Sequence, residues 1–272
     1  MDASVMVYQA GMATPRRRSR SKGPRYMAPP QSIRTVVTLD SLVSDIRQIP
    51  AKQQERLWVG AKDHHNGAPN LFLAGDSTLL RRPCVAIVGT RQVSREGAAR
   101  ARRLAREVVG NGVVVMSGLA KGVDTEALTE ALEQGGRVVA VIGTPLDKAY
   151  PAENSQLQER IYREHLLVSP FEEGSVVQKR FFPHRNKVMA ALSDATVIIE
   201  ATDTSGTLHQ AVECTRLGRW LFVAKSLRDD PKVTWPRSFE KYAKMRWLSE
   251  TEDLLSALRE TRAWQLRPAA TA

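Results

Sequence analysis

From residue 84 onward, short apolar runs alternate with amphipathic stretches. Residues 85–88 (Val-Ala-Ile-Val) form the first run, and residues 95–109 follow with helical periodicity. A second run, 113–116, ends at Ser117-Gly118, and a helix is predicted over 123–134, stopped by Gly135-Gly136. Runs at 138–142, 166–168, 196–199 and 220–223 continue the series, with helices predicted over 155–164, 185–192 and 207–217 between them. A loop at 229–236, a last strand near 245–248 and a helix near 254–258 close it. Nearly every position of each run is apolar, as expected of strands covered on both faces. Strands alternating with helices of this length predict an α/β fold, with a doubly wound, mostly parallel sheet and helices on both faces. In such sheets ligands bind beyond the carboxyl ends of the strands, so the chemistry belongs in the loops there.

Upstream the pattern changes. Residues 1–33 lack periodicity and are rich in Arg, Ser, Pro and Met, which predicts a disordered basic tail. Residues 34–80 read as a short helical preface: Leu39, Leu42, Ile46 and Ile49 have helical spacing and Pro50 stops the run. Leu71-Phe72-Leu73 before Gly75-Asp76 predicts a strand and turn leading into the core domain, 81–262, and residues 263–272 are expected to be disordered.

Charge narrows the class of partner. The chain of 272 residues carries a net charge of +11, of which +5 lies in residues 1–33 (Arg16, Arg17, Arg18, Arg20, Lys22 and Arg25 against Asp2). A basic tail can hold nucleic acid without choosing a sequence, or can simply be solvated. Two cysteines build neither a disulfide framework nor a four-cysteine zinc site, and they fit a reducing, cytoplasmic setting. No apolar run approaches the ~18 residues of a membrane helix, and the N-terminus lacks a signal-peptide pattern, so no membrane partner is expected.

Four segments carry candidate chemistry. Gly89-Thr90-Arg91, with Ser94 after it, links a strand to a helix and offers backbone N–H groups and a guanidinium to a phosphate. It is not a dinucleotide fingerprint, and Ser94 alternatively caps the helix. Ser117-Gly118, with Lys121 and Asp124, occupies the equivalent place after the second strand. Phe181-Phe182-Pro183-His184-Arg185-Asn186-Lys187 interleaves rings with cations, which suits a stacked base beside a phosphate. Ser205-Gly206-Thr207 again opens a helix after a strand. Each is weak alone; together they point to a phosphate-bearing ligand along one sheet edge.

The ordered segments VAIVGTR, VVMSGLAKGVD, VVAVIGTPLDKAYP, FPHRNKVMAALSDATVIIEA and SGTLHQA resemble the DNA-processing protein A family (DprA, also called Smf) over about residues 70–224. That family belongs to a superfamily shared with the cytokinin-activating phosphoribohydrolases. The resemblance implies an extended Rossmann-like fold, binding of single-stranded DNA, a homodimer and assistance to a RecA-type recombinase, without catalysis and with no cofactor. It assigns the DNA and phosphate contacts to Gly89, Thr90, Arg91 and Ser94, to Ser117, Gly118 and Lys121, to Phe182, Arg185, Asn186 and Lys187, and to Ser205, Gly206 and Thr207. The chain departs from the family pattern at Leu128, where a His is usual, at Val123, where an Ile is usual, and at Ala224-Lys225, where Pro-Gly usually follows the last core strand. The preface is short for the family's helical domain, and the segment after 224 does not read as a winged helix. The chain therefore resembles a divergent, core-only member, and its pathway could be transformation, phage defence or another route.

Two other readings compete. A phosphoribohydrolase-like enzyme would need catalytic carboxylates after a glycine loop; here Leu208-His209-Gln210 stand there, leaving Glu200 and Glu213 as substitutes. A nucleotide-binding sensor would use the same pocket with a smaller ligand. Of the remaining candidates, His64 and His65 read as surface residues, His165 as structural and His209 as able to face a ligand. Cys84 and Cys214 read as small buried side chains, and no spacing of His, Cys, Asp or Glu suggests a metal. Trp220, Trp235 and Trp247 either pack the last strand or contribute to a dimer surface.

Overall fold

The structure, a computed structural model, describes residues 26–43, 47, 49 and 70–266. The apolar runs form strands β3 (Cys84–Val88), β4 (Val114–Ser117), β5 (Val138–Val141), β6 (Leu166–Ser169) and β7 (Ala195–Ile198), each buried at every position. With β1 (Arg34–Thr38), β2 (Asn70–Gly75), β8 (Trp220–Ala224) and β9 (Met245–Leu248) they make one sheet in the order β1-β2-β6-β5-β4-β3-β7-β8-β9. The strands from β3 to β9 pair in parallel; β2 runs antiparallel to both β6 and β1. The chain builds outward from β3 in one direction and from β7 in the other. The β3/β7 pair, with Val88 opposite Ile198, is therefore the topological switch point.

Helices cover both faces. On one lie α1 (Arg95–Gly110), α2 (Val123–Glu133), α3 (Ser155–Glu164) and α6 (Thr251–Arg259), packed into a core with Val85, Val115, Ala140 and Phe222. On the other lie α4 (Phe181–Leu192) and α5 (Thr207–Arg216), with Ala86, Met116, Val139 and Leu221. Alternate residues of one strand thus feed opposite cores, as the pleat requires. Helix α1 shows why its sequence folds so. Gly97, Ala101, Leu104, Ala105 and Val108 share its buried face, while Ser94 caps it by accepting from the Gly97 N–H at 2.9 Å.

Four expectations need correction. The preface is not all helical: Arg34-Thr35-Val36-Val37-Thr38 is the edge strand β1, registered against β2, and a single helical turn, Leu39–Leu42, follows. The tail is not irregular to residue 33. Tyr162 donates its hydroxyl to Met27 O (2.9 Å), Tyr26 donates to Leu146 O (2.8 Å), and Gln31–Ile33 forms a 3-10 turn. At the other end, a helical turn spans Arg262–Gln265 and buries Ala263, inside the segment expected to be disordered. Helix α4 starts at Phe181, four residues before its predicted start at Arg185. Pro183 does not interrupt it, because a proline in the first turn removes an N–H that has no helical partner anyway.

The preface is tied to the core by charge as well. Arg47, buried, pairs with the buried Asp194 at the head of β7 and donates to Leu80 O (3.0 Å) and Arg82 O (2.9 Å). Asp194 also accepts from the Cys84 N–H at 2.9 Å. Trp235 is buried, with its indole N–H on Ala201 O at 3.2 Å, so it packs the carboxyl end of the sheet rather than an outer surface. Cys84 and Cys214 are buried, and burial pushes both thiols up to about 12. His64, His65 and Ile46 lie outside the described residues.

Candidate nucleic-acid interface

A cavity of about 460 Å³ opens at the carboxyl ends of β3 and β7, at the switch point. Gly89, Thr90 and Arg91 form one wall, Phe182, Arg185 and Asn186 a second, and Ser205, Gly206 and Thr207, at the start of α5, a third. All four predicted loops therefore meet, the second through Ala120 and Asp124 alone. Ser94, Ser117, Gly118, Lys121 and Lys187 do not line the cavity.

Local chemistry explains the division. The Ser94 hydroxyl donates to Glu200 at 2.6 Å while accepting from Gly97, so it is a helix cap and a tie between β7 and α1. The Glu200 carboxylate also accepts the Ser94 N–H at 3.1 Å and faces Arg100 at 3.8 Å. Glu213 pairs with Arg216 at 3.1 Å on the last turn of α5. Neither of these carboxylates lines the cavity. Lys121 is held outside by Glu153, at 2.5 Å. The Ser117 hydroxyl, buried, donates to Ile87 O at 2.6 Å and so ties β4 to β3.

The Ser117-Gly118 loop acts from beneath. Its backbone is folded onto Asp124, which accepts from the Gly118 N–H at 3.1 Å and the Ala120 N–H at 3.3 Å. Leu119 takes a left-handed φ of 57° in this tight loop. Gly118 leaves room for one group in particular: a Cβ there would lie 1.4 Å from an Arg185 guanidinium nitrogen. Arg185 is buried, donates to Val141 O at 2.9 Å and lies beside Asp124. Burial raises the Asp124 carboxyl above its ordinary range, against the opposing Arg185 charge and the two N–H donors. Burial likewise lowers Arg185, with Asp124 opposing. The two form a compensated floor, and Asp124 is the one acidic side chain among the described lining residues.

Above this floor, Arg91 is exposed and its guanidinium lies 5.5 Å from the Phe182 ring centroid. Phe182 in turn sits against Gly143, where a Cβ would come within 2.7 Å of the ring. Asn186 reaches Gly206 O at 3.4 Å, and Thr207 donates to Gly89 O at 3.1 Å, which fixes the α5 start against the first loop. The cavity thus presents a cation, an aromatic ring, the positive end of a helix and several hydroxyls. That combination suits a phosphate and a base held together.

Sequence reasoning missed Met189 and Gln210, which also line the cavity, placed Gln92 and Thr202 in candidate loops without giving them a role, and left His209 open, which lines it too. Helical spacing carries part of that signal: Phe182, Asn186 and Met189 fall on one face once α4 begins at Phe181. Gln210 lies one turn after Thr207 on α5. Among the described residues no three His, Cys, Asp or Glu side chains stand together as a metal site, and no helix is long and apolar enough to cross a membrane.

The sequence model of the DNA recombination-mediator protein A family matches residues 50–259. A DNA processing protein DprA of Streptococcus pneumoniae is 40% identical over 152 residues, covering 56% of this chain and 54% of the relative. One from Bacillus subtilis is 30% identical over 226 residues, covering 82% of this chain and 75% of the relative. Among solved structures, the DNA processing protein A of Streptococcus pneumoniae aligns with a TM-score of 0.64 at 35% identity, covering 70% of this chain and 66% of that one. The DNA processing protein A of Helicobacter pylori, described for its single-stranded DNA binding mode, aligns with a TM-score of 0.62 at 28% identity, covering 73% of this chain and 91% of that one. The chain spans about half the length of the Streptococcus and Synechocystis relatives, 54% and 43% respectively.

Proposed function

The chain belongs to the DNA recombination-mediator protein A family, and from that membership we propose that it binds single-stranded DNA at the switch-point cavity. One observation carries the reading: an exposed guanidinium and an aromatic ring 5.5 Å apart, at a helix N-terminus, in one cavity. Arg91 takes the phosphate, Phe182 stacks the base, and the first turn of α5 adds N–H donors. Arg185 and Asp124 position the floor and do not reach for the strand. Binding of single-stranded DNA by the Helicobacter relative supports the same ligand here. The protein acts without catalysis, as a homodimer that presents the bound strand to a RecA-type recombinase. Residues 1–25, with six basic side chains and one acid, add a sequence-independent tether.

Fluorescence anisotropy of a labelled oligo-dT strand tests this. Arg91→Ala is expected to weaken binding about tenfold, the effect of one lost charge-assisted phosphate contact, and to reduce the salt dependence. Lys121→Ala is expected to change affinity less than about twofold, as a rim charge already paired with Glu153. Unchanged affinity in Arg91→Ala, with all binding lost on removal of residues 1–25, would overturn the assignment. The volume of about 460 Å³ also fits a single small ligand. A mononucleotide that competes as well as the strand would favour the sensor reading.

A further inference from the structure

A second cavity, of about 470 Å³, lies beyond the end of β5 and is lined by Tyr26, Thr144, Asp147, Lys148 and Tyr150, among others. It adjoins the first. Tyr150 belongs to its wall, Phe182 belongs to the wall of the switch-point cavity, and the two ring centroids are 5.5 Å apart at an interplanar angle of 53°. Arg91, Phe182 and Tyr150 therefore form a continuous series from one cavity to the next. We propose that the second cavity seats a further base of the strand held in the first, with Tyr150 as its stacking platform. This rests on the single-stranded DNA reading and adds to it a second subsite and a direction of travel.

Three features argue for a base in this cavity. Tyr150 is 49% exposed, so its ring has π-surface to offer a ligand. Asp147 carries a buried carboxylate oxygen without a hydrogen-bond partner. An anionic acceptor repels a phosphate but accepts from the N–H groups on a base edge. Three other polar side chains of the wall are engaged: Tyr26 donates to Leu146 O at 2.8 Å and accepts from Gln158 at 2.8 Å, Thr144 donates to Lys148 O at 2.9 Å, and Lys148 donates to Ser175 O at 2.8 Å. The wall is thus held in shape, and the Asp147 oxygen is among the groups left for a ligand.

The experiment is a length series of labelled oligo-dT strands, from two to eight nucleotides, measured by anisotropy with the full chain and with Tyr150→Ala, Tyr150→Phe and Tyr150→Trp. Thermal melts check that each variant is folded. Wild-type affinity is expected to rise with length as the second subsite fills. Tyr150→Ala is expected to bind the shortest strands as wild type does and to lose about tenfold on the longer ones, the effect of one stacked base. The Phe and Trp variants are expected to retain the rise. Equal binding of every length by wild type and Tyr150→Ala would overturn the proposal. So would a uniform loss at all lengths, which would make Tyr150 only a support for Phe182. No binding of any length by wild type would instead remove the underlying DNA reading, and this inference with it.

Discussion

Ser94 and Gly118 separate holding the site from touching the ligand. Both stand in loops that read as phosphate contacts, and both work at one remove. Ser94→Ala is expected to lower stability by about 1 kcal/mol, the usual effect of losing a helix cap, measured by urea denaturation. Because Ser94 does not line the cavity, strand affinity is expected to stay within about twofold. A tenfold loss of affinity without loss of stability would show that its hydroxyl contacts the ligand after all. Gly118→Ala is expected to do the reverse of a neutral change. Its methyl group would occupy the place of the Arg185 guanidinium, which is buried and already bonded to Val141 O. Displacing a buried charge from its partners destabilises by about 3–5 kcal/mol, and the cavity floor would shift with it. Wild-type stability and binding in Gly118→Ala would contradict the packing described.

At the scale of elements, the strands and most helices were legible because each carries an unmixed signal. β3 to β7 are apolar at nearly every position, and α1 shows clear 3.6-residue periodicity. β1 was not legible. Its five residues are only partly buried at Arg34 and Val37, so neither alternation nor a continuous apolar run marks it. It exists because β2 supplies a pairing edge, a tertiary cause. The start of α4 was hidden by Pro183, a breaker inside a helix but a tolerated residue in its first turn. The junction of α3 and β6 offers a test through His165, whose carbonyl accepts the Asp76 N–H at 2.8 Å. Burial, with Arg137 nearby, holds its imidazole below the ordinary value, and Glu164 opposes. The fold therefore favours neutral His165. Its contribution to stability is present above about pH 6.5 and is lost as pH falls through the depressed folded-state value. Urea midpoints are expected to fall between pH 7 and 5, and His165→Gln is expected to flatten that dependence. An equally steep fall in the variant would place the titration elsewhere.

For the whole molecule, the direction of chain winding decides where function can sit. Sequence order predicted a doubly wound sheet, and such a sheet has one place where adjacent strands send their helices to opposite faces. Here that place is the β3/β7 pair, and the loops after both strands open into the same cavity. The convergence of Gly89–Arg91 with Ser205–Thr207 was therefore legible in the sequence. The burial of Arg185 beneath Gly118, the pairing of Lys121 with Glu153 and the approach of Tyr150 to Phe182 were not, because each depends on side chains from segments distant in sequence. Net charge alone does not choose between cavity and tail, since +5 of the +11 lies in residues 1–33. The most direct measurement is photo-crosslinking of the full chain to a strand containing 5-iododeoxyuridine, with the linked peptides mapped by mass spectrometry. The account predicts crosslinks at Phe182, with Tyr150 joining as the strand lengthens. Crosslinks confined to residues 1–25, with none at Phe182, would contradict it.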